Sequence, residues 1–129
     1  TGADTCWGEA NSPLPPESVS PLLFLRDLQD FIVRRREDMP EGSYTTRLFR
    51  DGTAKIAQKV GEEALETVIE AVGGNDGKLV YEAADMLYHL LVLLADRGLR
   101  IEDIAMELHR RHDPQWDRER REQKAAQGS

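Results

Sequence analysis

Residues 78–96 read "KLVYEAADMLYHLLVLLAD", a run whose apolar residues cover almost the whole circumference of a helix. A helix of this kind is typically buried on most of its sides. At about 100° per residue, its polar residues Glu82, Asp85 and His89 fall within one stripe about 60° wide. The stretch therefore predicts a largely buried helix, from about Gly77 to Arg97, with a single narrow polar stripe.

An amphipathic helix is predicted just before this one, over residues 53–72, and it ends at two glycines. Apolar residues from Ile56 to Val72 cover one broad face of it. The opposite arc carries the glutamates of the sequence "KVGEEALETVIEA", namely Glu62, Glu63 and Glu66. Taken alone, an acidic arc on an amphipathic helix is usually a solvated face.

The carboxylates of the buried stripe favour a different interpretation of that arc. Glu82 and Asp85 are spaced i, i+3 in a helix that is too apolar to leave them simply solvated. Desolvating a carboxylate costs several kcal/mol unless a partner compensates, and the apolar run supplies no lysine nearby. A hard divalent cation such as Mg²⁺ takes oxygen ligands and shares its shell with water and substrate phosphates. We therefore predict a metal site between this pair and the glutamates of the preceding helix.

Proline, glycine and charge patterns divide the chain into three parts. Residues 1–20 are rich in proline and show little periodicity, which predicts a linker or extended segment. A helical domain is expected over residues 21–113. The last part, residues 114–129, is most simply a charged tail.

Within the domain, two further helices flank the two described above. The first is predicted to run through about Arg36, with Ser20 as N-cap and Pro21 as the first helical residue. Residues 37–52 are interpreted as a loop broken by proline and glycine. A shorter helix begins near Ile101 and is interrupted by Pro114. No strand pattern competes with these segments, so the predicted fold class is all-α.

The composition narrows the class of function. A net charge of −7 argues against a nucleic-acid-binding surface, and an anionic ligand would need local basic side chains or a metal ion. No run of about 18 apolar residues and no charged-then-apolar leader is found, so neither a membrane span nor secretion is expected. The single cysteine, Cys6, cannot form an internal disulfide and fits a reducing cytoplasm.

The acidic spacing resembles that of a known group of enzymes. E-E-x-x-E, then 15 residues, then E-x-x-D is similar to the all-α nucleotide pyrophosphohydrolases related to dimeric dUTPases and MazG proteins. The segments "GSYTTRLFRDGTAKIAQKVGEEALETVIEA" and "EAADMLYHLLVLLADRG" closely resemble the phosphoribosyl-ATP pyrophosphohydrolase family of histidine biosynthesis, over roughly residues 22–112. This resemblance implies a MazG-like helical bundle completed by homodimerisation. It also implies hydrolysis of the α–β phosphoanhydride of 1-(5-phosphoribosyl)-ATP to 1-(5-phosphoribosyl)-AMP and pyrophosphate.

The resemblance further implies roles for individual acids. Glu62 could be a further metal ligand or the base that orients the attacking water, so it stands with Glu63 as a candidate catalytic residue. His89 is more often a packing or outer-shell histidine than a ligand in such a stripe. The implied ligands of Mg²⁺, for which Mn²⁺ could substitute, are Glu63, Glu66, Glu82 and Asp85.

Candidate substrate-binding residues lie in two places. Tyr44, Thr45 and Arg47 belong to a loop that resembles the substrate loop of the family, and the alternative is a special turn without ligand contact. Lys55 and Lys59 share the acidic arc and could hold phosphates, or else form exposed ion pairs with the nearby glutamates.

The first residues carry a second resemblance. The sequence "TGADTCW" is similar to the tail of a motif that closes phosphoribosyl-AMP cyclohydrolase domains, which are often fused to this family. On that resemblance the chain is the C-terminal part of a bifunctional enzyme, and Cys6 is one orphaned zinc ligand; the alternative is a stray cysteine in a linker. Only the end of the motif is present, so cyclohydrolase activity is not expected from this chain.

Two other function classes stay open at this point. The nearer is a MazG-like house-cleaning pyrophosphohydrolase acting on non-standard nucleoside triphosphates. The more distant is a non-catalytic helical module whose acidic stripe pairs with a basic partner. A di-iron carboxylate bundle is disfavoured because Glu82-x-x-Asp85 stands where Glu-x-x-His would be required. The helix over residues 78–96 is apolar on too many sides for a small monomer, which predicts a homodimer.

Overall fold

The computed structural model describes residues 20–128, and these residues contain helices and no strand. The predicted all-α class is therefore confirmed. No helix in the described part of the chain is long and apolar enough to cross a membrane. In chain order the helices are α1 (Leu23–Asp38), α2 (Tyr44–Asp51), α3 (Thr53–Val72), α4 (Asp76–Asp96), α5 (Ile101–Arg111) and α6 (Pro114–Gln127).

The long helices α3 and α4 form a hairpin, against which the first two helices pack. Their connection is short because Gly74 adopts a positive φ of 78° and the side chain of Asn75 accepts a hydrogen bond from the backbone N–H of Lys78 (3.0 Å). Helix α1 packs along α4, and α2 lies against α1, α3 and α4.

The hydrophobic core gathers around the C-terminal half of α4. Burial of these side chains removes apolar surface from water, and this is the main term that holds α1, α2 and α3 against α4. The core consists of Leu28, Phe31, Ile32, Leu48, Ile56, Tyr88, Leu91, Val92 and Ala95.

Helix α2 occupies the segment that was predicted to be a loop, and that prediction is wrong. The hydroxyl of Ser43 accepts a hydrogen bond from the N–H of Thr46 (3.3 Å), which makes Ser43 the N-cap, and Gly52 ends the helix at a φ of 96°. The eight residues are too few to be stable as an isolated helix. Tertiary burial of Thr45, Thr46 and Leu48 stabilises it instead.

The predicted charged tail is also helical over most of its length. Asp113 caps α6 by accepting a hydrogen bond from the N–H of Gln115 (2.8 Å), and Pro114 is the first residue of the helix. Trp116 connects α6 to α5, because the guanidinium groups of Arg110 and Arg111 lie 5.7 and 5.9 Å from the centre of its ring. Arg120 of α6 lies 5.3 Å from the same centre. The first helix begins two residues later than predicted, at Leu23.

The broad apolar face predicted for α3 is only partly buried. Ile56 is fully buried, but the side chains near the middle of the face are 55–84% exposed. The side of α3 that meets α4 lies at the border between its apolar and acidic arcs, so the centre of the apolar arc points to the surface. The exposed apolar face consists of Leu65, Val68, Ile69 and Val72.

A buried glutamine joins three helices. The amide of Gln29, which is fully buried in α1, donates to the carbonyl of Leu91 in α4 (3.1 Å) and accepts from the N–H of Ile101 in α5 (2.9 Å). The N–H of Ile101 belongs to the first turn of α5 and has no intrahelical acceptor. Gln29 therefore supplies a partner that the helix cannot provide for itself.

Replacing the fully buried Gln29 by leucine is expected to lower the free energy of unfolding by about 1–3 kcal/mol, because the partly buried N–H of Ile101 would lose its acceptor. Urea unfolding followed by circular dichroism measures this change. The matched control is Gln58→Leu, on the exposed side of α3, for which a change within about 0.5 kcal/mol is expected. Equal effects from the two substitutions would show that the buried hydrogen bonds contribute nothing.

Candidate functional site

Four acidic side chains from α3 and α4 meet on the side of the hairpin near α2. Charge repulsion from Asp85, Glu66 and Glu82 acts on Glu63, and repulsion from Glu66 also acts on Asp85. The structure thus brings together the four acids that were named as metal ligands, Glu63, Glu66, Glu82 and Asp85.

Glu63 has the most unusual environment of the four. Burial first, and then the charge of Asp85, raise its pKa from 4.5 to about 7. Its Oε1 atom is buried and has no hydrogen-bond donor among the described residues. That oxygen lies 2.5 Å from Nδ1 of His89, which is ion-pair distance, but the approach does not have hydrogen-bond geometry. A buried carboxylate oxygen without a donor is unusual and has room in its lone pairs for a cation.

The pKa values of the two acids of α4, Glu82 and Asp85, are also raised. Hydrogen bonding with the Glu66 carboxyl, followed by burial and repulsion, raises the pKa of Glu82 to about 7. Burial is the main cause of the raised pKa of Asp85, which is only 8% exposed; Glu66 adds to it and His89 opposes it. Burial and mutual repulsion thus raise the pKa of Glu63, Glu82 and Asp85 together, as expected for carboxyl groups crowded without a cation.

His89 is the most connected residue of the site. It is 4% exposed, and its Nδ1 lies 2.9 Å from the carbonyl oxygen of Asp85, while its Nε2 lies 2.7 Å from the hydroxyl of Tyr44. Burial lowers the pKa of His89, so the neutral ring is favoured. His89 is thus packed inside the bundle, and its outer-shell role toward a metal stays a prediction.

The basic and acidic residues on the outer edge of the arc are accessible. Glu62 is exposed; it accepts a hydrogen bond from the Gln58 amide (3.0 Å) and lies 3.9 Å from Nζ of Lys59. The hydrogen bond from Gln58 is the main reason that the pKa of Glu62 is lowered. Lys55 is exposed beside them. Their catalytic and phosphate-binding roles stay predictions.

The three candidate substrate residues of α2 differ in their surroundings. Arg47 is exposed, and its guanidinium lies 5.6 Å from the centre of the Tyr44 ring. Thr45 is fully buried and its hydroxyl is hydrogen-bonded to the hydroxyl of Tyr88, so a direct contact with substrate would require movement. Tyr88 was not singled out from the sequence, although a buried tyrosine hydroxyl requires a polar partner. Substrate binding by the three residues stays a prediction.

The donor chemistry of the cluster suits a hard cation, although the side chains are not fully assembled for one. Carboxylate oxygens are the ligands that Mg²⁺ prefers, and Glu63 Oε1 lacks any competing donor. Within residues 20–128, however, no three His, Cys, Asp or Glu side chains already stand in a metal-binding arrangement. Rotation of exposed side chains such as Glu66 would therefore be needed to complete a coordination shell. Cys6, the proposed zinc ligand, lies outside the described residues.

Without metal, the thermal stability is expected to fall as the pH rises from about 4.5 to about 7, because Glu63 and Glu82 keep their protons in the folded state and lose them in the unfolded state. His89 opposes this trend below its ordinary pKa of 6.5. Thermal melts in EDTA at a series of pH values measure the effect. Glu63→Gln should make the decline shallower, and an unchanged profile in that variant would contradict the assignment.

Comparisons with known proteins show which family the chain belongs to. Residues 25–112 match the family described as Phosphoribosyl-ATP pyrophosphohydrolase. A histidine biosynthesis bifunctional protein, HisIE, from Bacteroides thetaiotaomicron is 58% identical over 116 residues, which are 90% of this chain and 54% of that protein. The protein of the same name from Thermotoga maritima is 46% identical over 111 residues, 86% of this chain and 55% of that protein.

A shorter relative matches the helical domain almost alone. The phosphoribosyl-ATP pyrophosphatase of Leptospira biflexa is 46% identical over 89 residues, which are 69% of this chain and 97% of that protein. The chain spans about half the length of the bifunctional relatives it matches. Since the family match covers well over half of the chain, the chain belongs to the phosphoribosyl-ATP pyrophosphohydrolase family.

Proposed function

We propose that this chain hydrolyses the α–β phosphoanhydride of 1-(5-phosphoribosyl)-ATP to 1-(5-phosphoribosyl)-AMP and pyrophosphate, an early step of L-histidine biosynthesis. Family membership supports the substrate. The observation that carries the chemistry is the meeting of four carboxyl groups between α3 and α4, one of which has a buried oxygen without a donor.

Mg²⁺ is the proposed cofactor, with Mn²⁺ able to substitute. When bound, it would neutralise charge on the triphosphate and lower the pKa of an attacking water. The residues that would hold it are Glu63, Glu66, Glu82 and Asp85.

The remaining candidates surround that cluster and are proposed to act on substrate and water. The ammonium groups of Lys55, which is exposed, and Lys59, which is partly exposed, would attract the phosphates to the otherwise acidic arc. Glu62 is exposed and its lowered pKa keeps it ionised, so it can accept a hydrogen bond from water and orient it. Tyr44, Thr45 and Arg47 are proposed to lie on the substrate side of α2.

Release of pyrophosphate from phosphoribosyl-ATP tests the activity directly. Purified chain is incubated with this substrate and, side by side, with non-standard nucleoside triphosphates, each with Mg²⁺. Preference for phosphoribosyl-ATP supports the proposed function. Preference for the non-standard nucleotides would instead assign the chain to house-cleaning, and no turnover of either would favour a non-catalytic helical module.

We also propose that two copies of the chain form the active unit. Besides the exposed apolar face of α3, the adjoining helix α4 exposes Val80 and Tyr81, which are 69% and 39% exposed. Large exposed apolar surfaces are rarely left in water. We expect the dimer to act in the cytoplasm on a small nucleotide. The net charge of −7 disfavours nucleic acid as a partner.

Ile69→Glu is expected to convert the dimer to a monomer, because a charge would be buried without a partner at the centre of the apolar contact. Light scattering after size exclusion should then report half the mass. The matched control is Met106→Glu, which alters an apolar side chain that is 69% exposed on α5 and should leave the mass unchanged. A wild-type chain that is monomeric at micromolar concentration would refute the dimer.

A further inference from the structure

The imidazole of His89 is held from two helices at once. Its Nε2 meets the Tyr44 hydroxyl of α2 at 2.7 Å, and its Nδ1 meets the Asp85 carbonyl of α4 at 2.9 Å. The Tyr44 and Tyr88 rings both stand edge-to-face against it, with ring centres 5.8 and 5.6 Å away. The ring is therefore not free to turn about its χ2 angle without losing a hydrogen bond in a buried place.

The partners of the two ring nitrogens determine where the protons lie. A carbonyl oxygen only accepts, so Nδ1 of His89 carries the hydrogen that it donates to Asp85. In the neutral ring, Nε2 is then the acceptor and the hydroxyl of Tyr44 is the donor. Tyr44 thereby selects one tautomer and one orientation of the ring.

The oriented ring places a positive edge beside Glu63. The polar N–H edge of the ring lies 2.5 Å from Glu63 Oε1, but its hydrogen is directed to the carbonyl of Asp85. The carboxylate is attracted and held close without being given a full hydrogen bond, so its oxygen keeps lone pairs for another partner. Glu63 and Asp85 are two of the acids proposed above to bind Mg²⁺.

We propose that Tyr44 and His89 form a positioning pair, in which Tyr44 fixes the imidazole and the imidazole holds the Glu63 carboxylate next to Asp85 for metal binding. Tyr44 then acts on the metal through His89 and not chiefly by touching the substrate. This inference rests on the proposed metal-dependent function. Outer-shell partners of this type typically change metal affinity by about 10–100-fold.

Binding of Mn²⁺ to the substrate-free protein tests the positioning pair without any need for turnover. The electron paramagnetic resonance signal of free Mn²⁺ gives the dissociation constant for the wild type and for Tyr44→Phe. We expect the variant to bind about tenfold more weakly. The matched control is Tyr88→Phe. The Tyr88 ring also stands against His89, but the hydroxyl that this substitution removes is hydrogen-bonded to Thr45 rather than to the imidazole. Tyr88→Phe should keep the wild-type affinity for Mn²⁺ even if its melting temperature falls.

A double-mutant cycle separates positioning from substrate contact. If Tyr44 acts through His89, then Tyr44→Phe added to His89→Asn should weaken Mn²⁺ binding no further than His89→Asn alone. In turnover assays, Tyr44→Phe should raise the Mg²⁺ concentration needed for half-maximal rate and leave the substrate KM at saturating Mg²⁺ close to the wild-type value. A raised substrate KM with unchanged Mn²⁺ affinity would overturn the proposal and assign Tyr44 to the substrate.

The outcomes also distinguish this inference from the proposed function. If the wild type binds Mn²⁺ and Tyr44→Phe binds it equally well, the positioning pair is refuted and the metal-dependent activity stands. If the wild type takes up no Mn²⁺, the metal-dependent function fails and the pair fails with it. His89→Asn tests the histidine by itself should Tyr44→Phe prove unfolded, since it removes the Tyr44 contact from the other side.

Discussion

Replacing Asp85 by asparagine is expected to lower turnover of phosphoribosyl-ATP by about a hundredfold to a thousandfold or more, because a metal ligand contributes several kcal/mol of charge stabilisation to the transition state. The metal-free protein should nevertheless melt at the same temperature or higher. Asp85 is 8% exposed and burial and Glu66 raise its pKa, so the neutral amide removes a desolvation cost and a repulsion.

The two measurements together decide the role of Asp85. Asp38→Asn, at the exposed end of α1, is the matched control, and it should change neither turnover nor melting temperature appreciably. If Asp85 were instead a structural ion-pair partner, the asparagine variant would melt several degrees lower. Near-normal turnover in a variant with a lowered melting temperature would exclude the ligand role.

Removal of divalent cations with excess EDTA is expected to abolish turnover completely. Without a cation, the four carboxyl groups between α3 and α4 would repel the polyphosphate of the substrate rather than bind it. Addition of Mg²⁺ beyond the chelator should restore the activity. Circular dichroism recorded in EDTA should show that the helices persist, because the core around α4 contains none of the four acids.

Thermal melting tests metal binding at the four carboxyl groups independently of turnover. Mg²⁺ should raise the melting temperature of the wild type at pH 8, since a ligand that binds only the folded state stabilises it. In Asp85→Asn the increase should be much smaller. Appreciable turnover in EDTA, after exhaustive dialysis, would mean that the chemistry does not depend on a divalent cation.

Much of the helical framework could be predicted from local sequence patterns. The apolar run of residues 78–96 and the glycines at 73–74 mark two long helices and the turn between them, as the structure confirms. The i, i+3 acids of this run share one narrow polar stripe, as the sequence indicates, and the structure buries Asp85 and leaves Glu82 half-buried. The four metal ligands predicted from the resemblance to the family are the same four acids that lie together in the structure.

Helix α2 was missed because its stability is not local. Its threonines have modest helix propensity, and eight residues cannot offset the cost of nucleation. Ser43, a typical N-cap residue, and Gly52, a typical helix-ending residue, did indicate its two ends. What they could not show is that Thr45, Thr46 and Leu48 bury themselves against the hairpin, which is the source of the stability.

The sequence by itself determined the helix class and the long hairpin, because periodicity and capping act over a few neighbouring residues. The choice of the four acids came from the resemblance of the sequence to the family. Tertiary structure decided which arc of α3 meets α4, which left Val68 and Ile69 exposed and the Oε1 atom of Glu63 buried. It also decided that Tyr44 reaches His89, 45 residues further along the chain. Contacts of that kind depend on how helices pack against one another, and no pattern within a single helix encodes the packing of its neighbours.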